Sequence, residues 1–347
     1  MVLEMYMLIK GTYYVVGMSP DADSIKFKAD NPNLWQKIET ENRKQFEEAL
    51  TKEAGIVTIR LQAIDALETH YTPPSVLTPK DLATKAKGAK APGKGNHRQP
   101  HHLGEVATDT FLAFMGVTEV KWKSWGRNTW IDEARISGTL VKDKLGDAIP
   151  GYIITDDVER NGRPLGWVFA GNPPFADGTP LTKHQVGELV SASANAHLLQ
   201  RGTVYPFFYM SLPGAIRIPL MEAARQAQQN PDQEDVWLHD HTDQGVDVAS
   251  LTSLYDNTVV YPYLFRRIVR QWYGKTMNRF WDSLRDQHDA LPDGEDLGLD
   301  LDGFFEDGDP WIFVISQQDF LHLSDILDVT RTSLKLHVYP YDIVFLS

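Results

Sequence analysis

Hydrophobic and polar positions alternate with period two in several short runs of the N-terminal part. Val57, Ile59, Leu61 and Ala63 fall on one side of such a run and Thr58, Arg60 and Gln62 on the other. This predicts a strand that ends just before Asp65 and Glu68. Residues 5–17 read as a first strand. After the turn Asp21-Ala22-Asp23-Ser24, Ile25 and Phe27 alternate with Lys26 and Lys28 as a second. The period then lengthens. Residues 40–53 predict a polar helix with Phe46, Ala49 and Leu50 inward, and 103–115 an amphipathic one. Strands are expected at 118–123 and within 130–160, with a turn near 142–146. A further strand follows Asn161-Gly162, opened by Arg163. Residues 184–201 predict a helix ended by Gly202, and 217–228 another. Near the C terminus, 262–287 predicts one long helix, with strands at 310–316 and 334–346.

Composition narrows the chemistry. The chain has 347 residues, 42% of them hydrophobic, and no cysteine. That is enough for two domains with real cores. It excludes disulfides and thiolate metal sites, so any metal must use oxygen or imidazole ligands. No apolar run is long enough to span a bilayer, and Glu4 interrupts the apolar start, so a cytoplasmic protein without a membrane partner is expected. The net charge of -13 is uneven: residues 241–347 hold 8 Lys/Arg against 18 Asp/Glu. Residues 71–102 are rich in Lys, Gly, Pro and Ala and predict a loop. There Lys80, Lys85, Lys87, Lys90, Lys94 and Arg98 form a basic stretch suited to a polyanion.

Charged groups at strand ends are the candidate chemistry. Arg60 leaves the sheet face, and Asp65 and Glu68 follow where the strand runs out. Carboxylates suit a hard metal ion and an attacking water, and a guanidinium fork suits a phosphoryl group. Asp21 and Asp23 join them if the second and third strands are neighbours. His239-Asp240-His241 reads as linker. Asp300-Leu-Asp302-Gly303 is a weak match to a calcium loop, because Gly298 stands where an acid is needed and Asp309 where a Glu is needed.

In order, these marks line up with a known family. Asp21-Ala-Asp23-Ser-Ile, Arg60-Leu-x3-Asp65-x2-Glu68 and Leu103-Gly-Glu-Val-Ala107 come first. Gly162-Arg163, Leu198-Leu-Gln-Arg-Gly202 and Glu222-Ala-x3-Ala227 running on to Trp237 follow. Over residues 5 to about 237 the chain resembles the staphylococcal nuclease-like (thermonuclease) family. The resemblance implies an α+β fold: a five-stranded Greek-key OB-fold barrel with three helices. It implies Ca²⁺ (Mg²⁺ possible) held by Asp23, Asp65 and the backbone carbonyl of Ala66, with Asp21 holding metal-bound water. Glu68 would act on the attacking water, and Arg60 and Arg163 would grip the phosphate. The reaction implied is hydrolysis of the 5′ P–O bond in DNA or RNA, leaving 3′-phosphate ends. Three positions depart from the pattern. Ala66-Leu67 replaces Thr-Pro, Pro164 follows Arg163 where the family has Gly, and Asn161 stands where an aromatic often stacks. Phe208 or Tyr209 is a candidate to pack a base instead.

The expected organisation is therefore a nuclease domain over 1–240, carrying the basic insertion 71–102, and an acidic α+β unit over 241–347 with a regulatory or oligomeric role. The competing expectation is an OB-fold module that binds single-stranded nucleic acid or a protein partner without cutting.

Overall fold

The computed structural model describes residues 5–76, 93–125, 128–143, 146, 149–248, 250–286 and 299–346. Two compact units emerge. The first takes the chain up to Ala66 and then Glu105–Asp235. The second takes Leu67–Gly104 and Val236–Leu346, so the stretch after Glu68 folds with the C-terminal segment.

The first unit is built on a closed five-stranded mixed barrel. Its strands are β1 (Tyr6–Tyr14), β2 (Ser24–Ala29), β3 (Ile56–Leu61), β4 (Ile149–Val158) and β5 (Pro164–Ala170). Hydrogen bonding runs β1–β2–β3–β5–β4, and pairing of β4 with β1 closes the ring. All neighbours are antiparallel except β3 and β5, which run parallel. Leu8, Tyr13, Phe27, Ile59, Ile153 and Trp167 are fully buried, and of these alternation places Phe27 and Ile59 on the apolar side of their strands. Closure needs two glycines. Gly11 and Gly151 face each other across β1 and β4. A Cβ at Gly11 would lie 2.5 Å from the Phe27 ring, and one at Gly151 2.5 Å from the Tyr13 ring. The two aromatic rings therefore fill the space that these side chains leave. The Tyr13 hydroxyl donates to the Tyr152 carbonyl at 2.6 Å, and burial raises its pKa well above the ordinary value.

Helices surround the barrel. α1 (Arg43–Lys52) buries Phe46 against Trp35, ring centroids 5.3 Å apart. The helix expected over 184–201 is interrupted. Lys183–Leu189 ends in a short 3₁₀ turn, and Ser193, in extended conformation, caps a new helix, α2 (Ala194–Gln200). Ser193 competes for backbone hydrogen bonds as serine does at helix starts, so the periodic pattern runs on while the axis breaks. α3 (Gly214–Gln229) packs against it. Between barrel strands a three-stranded sheet is inserted, made of Val117–Trp125, Asn128–Ile136 and Thr139–Val141.

The second unit is also α+β. Its long helix, α4 (Pro262–Asp286), buries Leu264, Phe265, Ile268, Val269, Tyr273, Met277, Phe280 and Trp281. Two small sheets accompany it. One pairs Trp311–Val314 with Asp319–His322 and with Ile343–Phe345. The other is Val246–Asp247, Ser333–Leu336 and Leu327–Val329 in that order. The Asp300–Asp302 loop is not arranged to receive a cation. Lys275 Nζ donates to the carbonyls of Asp300 and Asp302, and Lys275 and Arg331 flank the Asp300 carboxylate at 3.7 and 3.3 Å. The Asp302 N–H, Lys275 and Arg331 together hold that carboxyl below the usual range.

Candidate active site at the barrel end

The site starts from the register of β2 and β3. Ser24 pairs with Arg60, so Asp23, one residue before β2, lies beside the end of β3. The Leu61 amide donates to the Asp23 carbonyl at 2.8 Å and fixes that approach. Beyond Leu61 the chain turns sharply through Ala63, at φ 64°, and enters the two-residue strand Ile64–Asp65. Tyr205 and Pro206 pair with Asp65 and Ile64. The Phe207 amide donates to the Ala63 carbonyl at 2.9 Å. The expected strand therefore stops at Leu61, and Asp65 sits on a separate, pinned segment.

Sequence reasoning passed over the residue that does much of the pinning. Asn195 on α2 is fully buried. Its amide donates to the carbonyls of Gln62 (2.9 Å) and Gly166 (3.1 Å), and its carbonyl oxygen accepts from the Val168 N–H at 3.0 Å. One side chain thus joins the end of β3 to β5. The usable signal was its place two residues after the capping serine, on the face of a short helix otherwise occupied by Ala and Leu.

Three of the expected site residues meet here. Arg60 forms ion pairs with the Asp23 carboxylate and, at 3.1 Å, with the Asp65 carboxylate. Its guanidinium also reaches the carbonyls of Asp23 and Ile64, each at 3.4 Å. The Asp65 side chain is completely buried, and those of Arg60 and Asp23 are 15% and 13% exposed. Ion pairs so shielded from water are strongly coupled, and removing one partner leaves a costly buried charge. The two carboxylates, hard oxygen groups, take different nitrogens of one guanidinium, which balances their charge.

Other expected participants have different partners. Asp21 accepts from the Ser24 hydroxyl at 2.5 Å and closes its own turn. Arg163 pairs through Nε with Glu159, inside the turn that the Glu159 and Gly162 amides close. In the second unit, Glu68 pairs with Arg266 at 2.8 Å. Phe208 is buried, whereas Tyr209 is 40% exposed. Arg98 lies 3.6 Å from Asp256, and the Lys94 carbonyl accepts from His97. Lys80, Lys85, Lys87 and Lys90 lie outside the described residues. Among the described residues no group of three or more His, Asp or Glu side chains gathers as a metal site, and no helix is long and apolar enough to cross a membrane.

No family model matches the chain, and no curated protein matches it either.

Proposed function

We propose that the chain is a metal-dependent phosphodiesterase of the staphylococcal nuclease-like class. It would hydrolyse the 5′ P–O bond of DNA or RNA and leave 3′-phosphate ends. The observation that carries this reading is the convergence of Asp23, Arg60 and Asp65 at the end of a closed five-stranded barrel. These residues stand at the spacing that the family resemblance requires. The donor set fits Ca²⁺, with Mg²⁺ as the smaller alternative. Asp23, Asp65 and the Ala66 carbonyl would hold the ion, with water completing its shell. Bound there, the cation supplies Lewis-acid polarisation of a phosphoryl oxygen.

The chain's own groups do the rest. Arg60 would offer two N–H donors to the non-bridging oxygens and offset charge as it builds there. Glu68, three residues beyond Asp65, accepts a proton from the water whose oxygen attacks phosphorus. The bond between phosphorus and the 5′ oxygen breaks, that oxygen takes a proton from solvent water to leave as a hydroxyl, and the phosphate stays on the 3′ side. Arg163 joins only by exchanging Glu159 for the phosphate.

A second reading has its own support. The proposed catalytic groups already have internal counter-ions: Arg60 with two aspartates, Arg163 with Glu159, Glu68 with Arg266. A barrel that binds single strands without cutting them has no need of free charges there. A cleavage assay separates the two. Single-stranded DNA incubated with Ca²⁺ should be cut, chelator should abolish cutting, and Glu68→Gln should slow it by about 10²–10⁴-fold. Binding without any Ca²⁺-dependent product would favour the second reading.

A further inference from the structure

The strand Val117–Trp125 buries only its first residue. Every later position is exposed except the half-buried Val120. Trp125 is 80% exposed, more than any other large hydrophobic side chain among the described residues, and Trp122 is 39% exposed. Water is a poor environment for indole surface on that scale. The sequence around them is unusual in charge as well. From Lys121 to Trp130 it reads KWKSWGRNTW, with three tryptophans, three Lys/Arg and no acid, in a chain of net charge -13.

Register decides which of these groups act together. Lys123 pairs with Trp130 across the ladder, and Trp125 follows two residues after Lys123. Cross-strand partners share a face, as do alternate residues. Lys123, Trp125 and Trp130 therefore stand on one face, a cation between two indoles. Trp122 and Ser124 take the other, opposite the fully buried Ile131 and the exposed Thr129.

We infer that this face is a binding surface for single-stranded nucleic acid, with bases stacking on Trp125 and Trp130 and the Lys123 ammonium on the backbone phosphate between them. Aromatic platforms interleaved with cations recognise single strands in just this way, because every base offers a π-face and every linkage a charge. A bilayer surface is the rival for a Trp- and Lys-rich ribbon. Against it, the tryptophans are divided between two faces, and Ser124 and Thr129 lie among them. Lys123 is 3.6 Å from Asp132, a carboxylate from which the phosphate draws the ammonium. The inference does not depend on the phosphodiesterase reading, since a strand can be held here without being cut.

The test uses the full chain in chelator, so that cleavage plays no part. Fluorescence anisotropy measures binding of a labelled oligodeoxythymidylate, of a duplex of equal length, and of phosphatidylserine-containing vesicles. The single strand should bind more tightly than the duplex. Trp125→Ala should weaken single-strand binding about tenfold or more, and Trp125→Phe should restore most of it. Lys123→Glu should weaken it and reduce its dependence on salt. Trp125 is solvent-facing, so its replacement should not disturb folding, and the far-ultraviolet spectrum checks this. Equal affinity of wild type and Trp125→Ala for the strand would overturn the inference. So would no strand binding at all, or a loss confined to vesicles.

Discussion

At the scale of single residues, Asn195 and Arg60 show what alternation can and cannot announce. Arg60, Asp23 and Asp65 were legible because period two assigns a face and a strand end, and pairing of β2 with β3 then brings them together. Asn195 was not legible. A polar residue in a helix usually faces water, and only the packing of α2 on the barrel turns it inward, where it meets three backbone groups. Replacement by alanine leaves those groups without partners in a dry site, at about 1–3 kcal/mol for each group left unpaired. We therefore expect Asn195→Ala to lower the urea midpoint clearly. Because the same side chain fixes Gln62, it should also reduce kcat for any reaction at Asp65 while leaving far-ultraviolet circular dichroism intact. An unchanged midpoint would mean that water replaces the amide without cost. The partner of Glu68 was illegible for a different reason. Arg266 is separated from Glu68 by 198 positions, and no local pattern reports such a pairing.

At the scale of elements, the boundaries of helices and strands followed local chemistry, and the errors came where chemistry and period disagreed. Ser193 splits one expected helix, and the positive φ of Ala63 ends one expected strand early. The basic insertion shows a third case. Composition predicted a loop, and where the described residues begin and end it is firmly tied. Tyr71 and His97 exchange both backbone hydrogen bonds at 2.7 Å, and the Gln99 amide donates to the Glu68 carbonyl at 2.8 Å. The Gln99 side chain accepts from the Glu68 N–H and donates to the Val260 carbonyl. His97 completes this clasp, with Nδ1 against the Tyr255 hydroxyl and Nε2 against the Lys94 carbonyl. Burial lowers its pKa, and burial with nearby Arg201 lowers that of His197 in the first unit. A histidine whose folded pKa is depressed binds fewer protons folded than unfolded. Stability should thus be full above the unfolded value of about 6.5 and be lost as pH falls from there through the lower folded values. Urea midpoints measured between neutral and mildly acidic pH should show this slope. His97→Gln should flatten part of it and leave the share that belongs to His197. A slope of opposite sign, or one insensitive to the substitution, would show that His97 is not held neutral.

At the scale of the molecule, the sequence offers carboxylate clusters in both units, and their surroundings differ. In the first unit, Asp23 and Asp65 share the Arg60 guanidinium, which the proposed cation would have to displace. In the second, Lys275 donates to the carbonyls of Asp300 and Asp302, which a calcium loop would need for the ion, and Arg331 holds the Asp300 carboxylate. Charge count alone points to the C-terminal segment, since 18 of the 47 acids lie in residues 241–347 against only 8 basic residues. The proposed site lies in the first unit. A ligand that binds the folded state alone raises apparent stability in proportion to its occupancy, so stability reports where the ion sits without any assay of activity. Millimolar Ca²⁺ should raise the melting temperature of the wild type. Asp65→Asn should abolish that rise, whereas the double substitution Asp300→Asn with Asp302→Asn should keep it. Each variant is its own reference, melted with and without the ion, so a loss of intrinsic stability does not disguise the result. If the rise persists in Asp65→Asn and vanishes in the double variant, the ion belongs to the C-terminal unit, and the buried aspartates serve only to anchor Arg60.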